Sequence, residues 1–462
     1  MARVNGLIKE EIINNIISMI IKGTLNKGDF LPSIRSMSSH YKISRGTVLV
    51  IYKHLESMGY IQGYERSGYI VVKSATNSIA DSSIPPLFPS SVVITDSVDS
   101  TQQKLSKLQH RKPCKLPPHF IKRWASNYDN FSRNLSSMKT GHLQRFLQLS
   151  RGITLEERSL LLLPGYQEAL VLIALFLQKR SNKNILLVED PCSPKTIELF
   201  TQLKFEIIPV PTDSQGLCID ALPDITDATL LCMPTLHYPT ATRLSETRKS
   251  YLYSWAAKNR NLIIEDDSYS MLGFGKNISP PLFLHQEHVT IIYLTQLTEM
   301  LGDTYNLAIV ALPPELEDTF KRLNQALCSH YPPASFSMIE SFLSSSYLMK
   351  YLTSLIEERQ AKIDIAKIIC TEYLLTENVN LHEESGFCSF TAKKSTISSD
   401  LINSVFFPIK RMTPLQDEHE MFLFPHALLT LPELEKIRSQ LTIPLAMAHT
   451  KNDNKQKKSP HY

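Results

Sequence analysis

Gly28-Asp-Phe-Leu-Pro-Ser-Ile-Arg35, followed by Ser44-Arg-Gly-Thr-Val48, is the stretch on which the reading of this 462-residue chain turns. Each block sets a serine directly ahead of a helical pattern. Ser33 can cap a helix whose inner face is Ile34, Met37 and Tyr41, because its hydroxyl accepts from the unpaired N–H groups of a first turn. Ser44 can do the same for a helix that buries Val48, Ile51, Tyr52, Leu55 and Met58 and stops at Gly59, a residue suited to the left-handed C′ position. Upstream, Ile8, Ile12, Ile13, Ile16, Ile17 and Ile20 recur at helical spacing ahead of Gly23. Downstream, Tyr60–Ile61 and Tyr69–Val72 flank the turn Gly63–Gly68 and predict a hairpin. Three helices and a glycine-tipped hairpin make a winged helix-turn-helix, whose third helix offers its N-terminus to a DNA major groove.

Charge supports this placement. Residues 1–73 carry ten Lys or Arg and five Asp or Glu, so they hold +5 of a total of +4 and leave −1 for everything after them. A basic module of this size suits a polyanion partner. Glycine is skewed as well: seven of the fifteen lie before residue 69, so the long remainder has few positions where backbone could closely approach a phosphate. The seven cysteines are scattered without a CxxC pair, which argues against a disulfide framework or zinc site and fits a reducing cytoplasm. No apolar run approaches the ~20 residues that cross a bilayer.

Composition then divides the chain. Residues 1–73 form the basic head; 74–113, rich in Ser, Thr, Pro and Gln, read as a linker; 114–446 form a large domain; and 447–462 read as a basic tail. In the large domain the apolar runs Ile185–Glu189, Phe205–Val210, Thr229–Met233, Leu262–Glu265, Val289–Leu294 and Leu307–Leu312 alternate with helical stretches. Continuous apolar strands separated by helices predict an α/β domain with a mostly parallel sheet covered on both faces.

The head resembles the GntR family. Gly28–Arg35 is similar to its G-D-x-L-P-S-x-R signature, Ser44–Val48 to its S-R-x-T-V helix start, and Leu55–Ile61 to its helix exit. The resemblance implies that Arg35, Ser44, Arg45 and Thr47 meet phosphates and base edges of double-stranded DNA, with Ser67 and Gly68 at the wing tip. The alternative for Arg35 is a surface ion pair with Glu56 or Asp29. The family often has an arginine at one of the two positions after the Thr-Val pair, whereas this chain has Leu49 and Val50.

The large domain resembles the fold-type I aminotransferase domain of the MocR subfamily of GntR regulators. The anchors are Leu163–Leu170, similar to the T-x-G-x-Q-x-A-L phosphate turn, then Val188–Pro191, Met233-Pro234 with Tyr238–Ala241, Ile264–Asp267 and Ile292–Leu301. In that fold a lysine forms an imine with pyridoxal phosphate and a carboxylate holds the pyridine nitrogen protonated. An aromatic ring stacks on the cofactor, and an arginine with a glycine turn binds its phosphate. Residue by residue, the resemblance puts Glu299 at the lysine, Asn306 at an arginine, Ser193 at the stacking tyrosine and Ala241 at a glycine. Gly165, Tyr238, Asp266 and Tyr269 survive beside Glu299 as a vestigial cofactor pocket. The implied protein is a homodimeric, cytoplasmic DNA-binding regulator without catalytic residues, whose large domain serves dimerisation or sensing of a small molecule. The alternatives are a pyridoxal-phosphate sensor that lacks the imine, or a residual aminotransferase.

Overall fold

In the computed structural model, contacts divide the chain into two units, Met1–Thr95 and Asp96–Tyr462. The described residues run from 12 to 441, without 14, 18, 21–23, 58, 65–67, 73–115, 127–139, 156–158, 182, 274–277, 286–288, 303–304, 328–332, 374–378, 384, 394–396, 398–400, 403 and 414–418. The expected linker at 74–113, the tail at 447–462, Gly23 and Ser67 therefore lie outside the described residues.

In the first unit the serine caps form as the sequence predicts. Helix α1 spans Ile34–Tyr41, and the Ser33 hydroxyl accepts from the Ser36 N–H at 3.2 Å. Helix α2 spans Arg45–Ser57, and the Ser44 hydroxyl accepts from the Thr47 N–H at 3.1 Å. Gly59, at φ 72°, occupies the left-handed conformation that ends this helix. Strands β1 (Ile61–Tyr64) and β2 (Gly68–Val71) pair antiparallel, with Ile61 opposite Val71. One core joins these elements: Ile12, Ile16, Ile20, Leu31, Met37, Val48, Ile51, Tyr52, Leu55, Ile61 and Val71 are all buried. Tyr52 anchors it to the loop before α1 by donating its hydroxyl to the Pro32 carbonyl at 2.7 Å.

The second unit is an α/β domain around an eight-stranded sheet. Its strands are β3 (Leu160–Leu163), β4 (Ile185–Asp190), β5 (Glu206–Asp213), β6 (Gly216–Leu217), β7 (Thr229–Cys232), β8 (Leu262–Asp266), β9 (Ile291–Gln296) and β10 (Ala308–Ala311). Their order is β3-β10-β9-β8-β7-β4-β5-β6. The centre, β9-β8-β7-β4-β5, is parallel throughout, while β10 runs antiparallel to both neighbours. Successive residues enter opposite cores: Leu187, Leu230, Ile263 and Ile291 face one, whereas Leu186, Leu231, Ile264 and Ile292 face the other. Both faces are dry, so these strands read as unbroken apolar runs instead of alternating ones. A smaller four-stranded sheet follows, β11 (Val379–Asn380), β12 (Cys388–Lys393), β13 (Phe407–Pro408) and β14 (His419–Phe424), packed through Phe390, Phe406, Phe407, Phe422 and Phe424.

Candidate functional site

The exposed start of α2 holds three of the six residues that the sequence assigns to DNA, Ser44, Arg45 and Thr47, while Arg35 stands in the first turn of α1. Arg35, Ser44 and Arg45 are exposed, and Thr47 is half-buried. Neither Arg35 nor Arg45 forms an ion pair with a described residue. Glu56 and Asp29, the acids nearest to Arg35 in the sequence, have other partners: Glu56 accepts from the Gly63 N–H at 2.7 Å, and Asp29 from the Asn26 N–H at 2.7 Å. The Ser44 and Thr47 hydroxyls lie 2.8 Å apart, so the cap fixes the side chains that flank Arg45. Backbone N–H groups of the first turn, ahead of Thr47, point out of the helix and attract phosphate. Gly68 begins β2 at φ 97°, a conformation that disfavours a side chain.

In the second unit a cavity of about 190 Å³ opens at the carboxyl ends of the central strands, where open α/β sheets bind ligands. Glu189 comes from β4, Asp266 from β8 and Gln296 from β9. Tyr166 and Lys195 come from the starts of helices α3 (Tyr166–Arg180) and α4 (Pro194–Gln202). Of the five residues assigned to the pocket from sequence, Tyr238, Asp266 and Tyr269 line this cavity, whereas Gly165 and Glu299 lie outside its lining.

Asp266 is the chemical centre of the cavity. It is buried, it accepts the Tyr166 hydroxyl at 2.7 Å on one oxygen, and it accepts the Ser268 N–H at 3.0 Å and hydroxyl at 2.5 Å on the other. Burial lifts its pKa to about 6, against the lowering effect of the Ser268 and Tyr166 bonds. Beside it Tyr238 and Tyr269 stack with centroids 5.1 Å apart, and Phe387 abuts both rings edge-on. Sequence reasoning missed the Tyr166–Asp266 bond, which joins residues 100 positions apart.

Glu189 and His237 form a second buried pair. His237 Nε2 lies 3.6 Å from a Glu189 oxygen, within ion-pair range, but the shifts argue for two neutral groups. Burial raises the Glu189 carboxyl to about 8, while burial and the nearby Arg411 charge lower His237 to about 3. The Met233 N–H donates to Glu189 at 2.6 Å. Neutrality is the consistent state, because burial penalises a charge on either group.

Glu299 lies in the first turn of the short helix α5 (Thr298–Leu301) and points at α6 (Tyr347–Ile368), where Arg359 Nη2 reaches its carboxylate at 2.8 Å. The ion pair is nearly dry, with Arg359 5% and Glu299 15% exposed. Gly165 precedes α3 with extended backbone. A Cβ there would come within 2.4 Å of a Glu168 carboxylate oxygen and 2.7 Å of Asn306 Nδ2, so both side chains crowd this turn. Ala241 keeps a left-handed φ of 53° although it carries a side chain.

A winged helix-turn-helix unit and an aminotransferase-type α/β unit with a polar pocket at its strand ends define the class of this protein. Residues 8–71 match the model for bacterial regulatory proteins of the gntR family, and residues 138–426 match that for class I and II aminotransferases. The chain belongs to the class I and II aminotransferase family and carries a gntR-family module ahead of that domain. It is 29% identical over 284 residues to the HTH-type pyridoxine biosynthesis transcriptional regulator PdxR of Corynebacterium glutamicum, an alignment spanning 60% of this chain and 59% of that relative. It is 21% identical over 387 residues to the probable rhizopine catabolism regulatory protein MocR of Rhizobium meliloti, covering 79% of this chain and 77% of that one. Among solved structures, the kynurenine aminotransferase of Pyrococcus horikoshii superposes with a TM-score of 0.63 at 16% identity, over 77% of this chain and 95% of that chain. Among the described residues no helix is long and apolar enough to cross a membrane.

Proposed function

We propose that this chain is a bacterial transcription regulator of the GntR/MocR type, in which an aminotransferase-like domain without transaminase chemistry controls a DNA-binding head. The observation that carries the regulatory half is the capped, exposed start of α2, where Arg45 stands without an ion-pair partner among the described residues. In this reading Arg35, Ser44, Arg45, Thr47, Ser67 and Gly68 meet operator DNA. The head is residues 1–73, joined through 74–113 to a domain at 114–446 that pairs with a second copy.

The loss of chemistry rests on the pocket's donor set. Pyridoxal phosphate needs a lysine for its imine, a free carboxylate for its ring nitrogen and positive charge for its phosphate. The residues here do not fit that group. Glu299, which the resemblance puts at the lysine, is held by Arg359. Asp266 already accepts the Tyr166 hydroxyl on one oxygen and two Ser268 donors on the other, so most of its acceptor capacity is spent within the chain. Glu168 in the first turn of α3 supplies the negative charge that this helix end favours and Asn306 beside it brings no cation, which leaves Lys195 at the start of α4 as the one Lys or Arg among the residues lining the cavity. The cavity, at about 190 Å³, is also below the ~300–1,000 Å³ usual for ligand sites of cofactor size. The relative PdxR is named for pyridoxine biosynthesis, which favours a B6-type effector held without an imine as the second reading.

The test is selection of bound duplexes from a random DNA pool with the full-length chain, followed by affinity measurements. A recurrent operator that Arg45→Ala binds more weakly by about 1–3 kcal/mol supports the proposal. Selected duplexes that bind no better than the starting pool refute it.

A further inference from the structure

Along α2 the sequence departs from the family where arginine is common, and the structure shows what stands there instead. Leu49 is 37% and Val50 54% exposed, although both belong to the helix assigned to the major groove. The opposite face of the same helix is fully committed, since Val48, Ile51, Tyr52 and Leu55 are all at most 1% exposed. Arg45, Leu49 and Lys53, all exposed, stand four residues apart, so they share one face. That face presents a cation, an apolar group and a second cation, with Val50 beside the middle one.

A wet apolar pair on a helix this basic needs an apolar partner within a polyanion. DNA offers one kind on its major-groove edge, the C5 methyl of thymine, and apolar side chains read it by contact. The flanking Arg45 and Lys53 complement the phosphates on either side, which identifies DNA as the occupant over an apolar protein surface. Resting on the DNA-binding reading above, we propose that Leu49, with Val50 alongside, is a specificity-determining residue that selects thymine by packing on its methyl group. The loss of an arginine at these positions then exchanges a sequence-blind phosphate contact for a base-reading one.

The experiment uses the full-length chain and its selected operator, with each thymine replaced in turn by deoxyuridine, which lacks only the methyl. Removing one buried methyl is worth about 0.8 kcal/mol, so about fourfold weaker binding is expected at one or two thymines per half-site. Leu49→Ala should bind thymine and deoxyuridine operators equally at those positions, and Val50→Ala should reduce the same discrimination. Uniform tolerance of deoxyuridine overturns the proposal, as does an undiminished deoxyuridine penalty in Leu49→Ala. If the chain fails to prefer its selected operator over random duplex, the DNA-binding reading falls and this one with it. Intact operator preference with uniform deoxyuridine tolerance sinks the methyl contact alone.

Discussion

Replacing Glu299 by lysine, the residue that the proposed correspondence with aminotransferases would put there, is expected to loosen the large domain and not to make it an enzyme. The Arg359 guanidinium lies 2.8 Å from the Glu299 carboxylate and is only 5% exposed. Removing one partner of a buried pair costs about 3–5 kcal/mol, because the other charge loses its main compensation. Glu299 keeps 15% exposure, so some water can enter and the low end, about 3 kcal/mol, applies. The incoming ammonium adds repulsion of up to about 4 kcal/mol at 4 Å and an effective dielectric of ~20, most of which a flexible lysine escapes by turning away. A loss of about 3–5 kcal/mol lowers Tm by roughly 6–20 °C, given the 2–4 °C per kcal/mol of domains somewhat smaller than this one. Calorimetry of the full-length chain reads this directly. The double variant Glu299→Lys with Arg359→Glu reverses the pair and should recover most of the loss, which a double-mutant cycle quantifies. A single variant that melts with the wild type would falsify the ion-pair argument, and one that transaminates would refute the claim that the whole site has decayed.

Three further outcomes follow from the same geometry. Glu189 keeps its proton in the folded chain up to a pKa of about 8 but releases it near 4.5 when unfolded, so stability falls as pH rises through that interval; between pH 7 and 9 this one group costs about 1 kcal/mol. Glu189→Gln should remove that share of the alkaline loss, and identical pH profiles by thermal melting contradict it. Tyr166→Phe takes a donor from Asp266, so its carboxyl should titrate above the present value of about 6 and the fold should weaken by about 1–2 kcal/mol; an unshifted carboxylate band in infrared titration overturns this. For a dimer with two heads, inserting about 5 bp, half a helical turn, between operator half-sites should abolish the bivalent gain, whereas about 10 bp should preserve it. Identical, spacing-independent affinities for the full-length chain and for residues 1–75 would rule out a dimer-mediated role for the large domain.

Much of the fold was legible because each signal was local. The serines at 33 and 44 announce helix starts within three residues, and the apolar runs that became β4, β7, β8, β9 and β10 mark strands buried on both faces, while the run that became β5 marks a half-exposed strand nearer the sheet edge. Strand β3 was hidden because Leu160-Leu-Leu-Leu163 has no period to distinguish strand from helix. The direction of β10 follows from chain length, since only eleven residues separate it from β9 and a parallel crossover needs a dozen or more. The pocket was half legible. Asp266 could be placed from the end of its strand. The bonds that decide its chemistry, Tyr166 to Asp266 and Arg359 to Glu299, span 100 and 60 positions, and nothing in a single sequence pairs residues so far apart.

The central claim, an aminotransferase-like domain that no longer forms an imine, is tested most directly by incubating the purified full-length chain with pyridoxal phosphate. Borohydride is then added to fix any imine, the absorbance spectrum is recorded and labelled lysines are mapped by mass spectrometry. The account predicts no borohydride-bleachable aldimine band, and only sparse labelling spread over exposed lysines at the level of an unrelated control protein. One lysine labelled stoichiometrically, above all Lys195 at the cavity, together with a band that an added amino acid discharges, would contradict it.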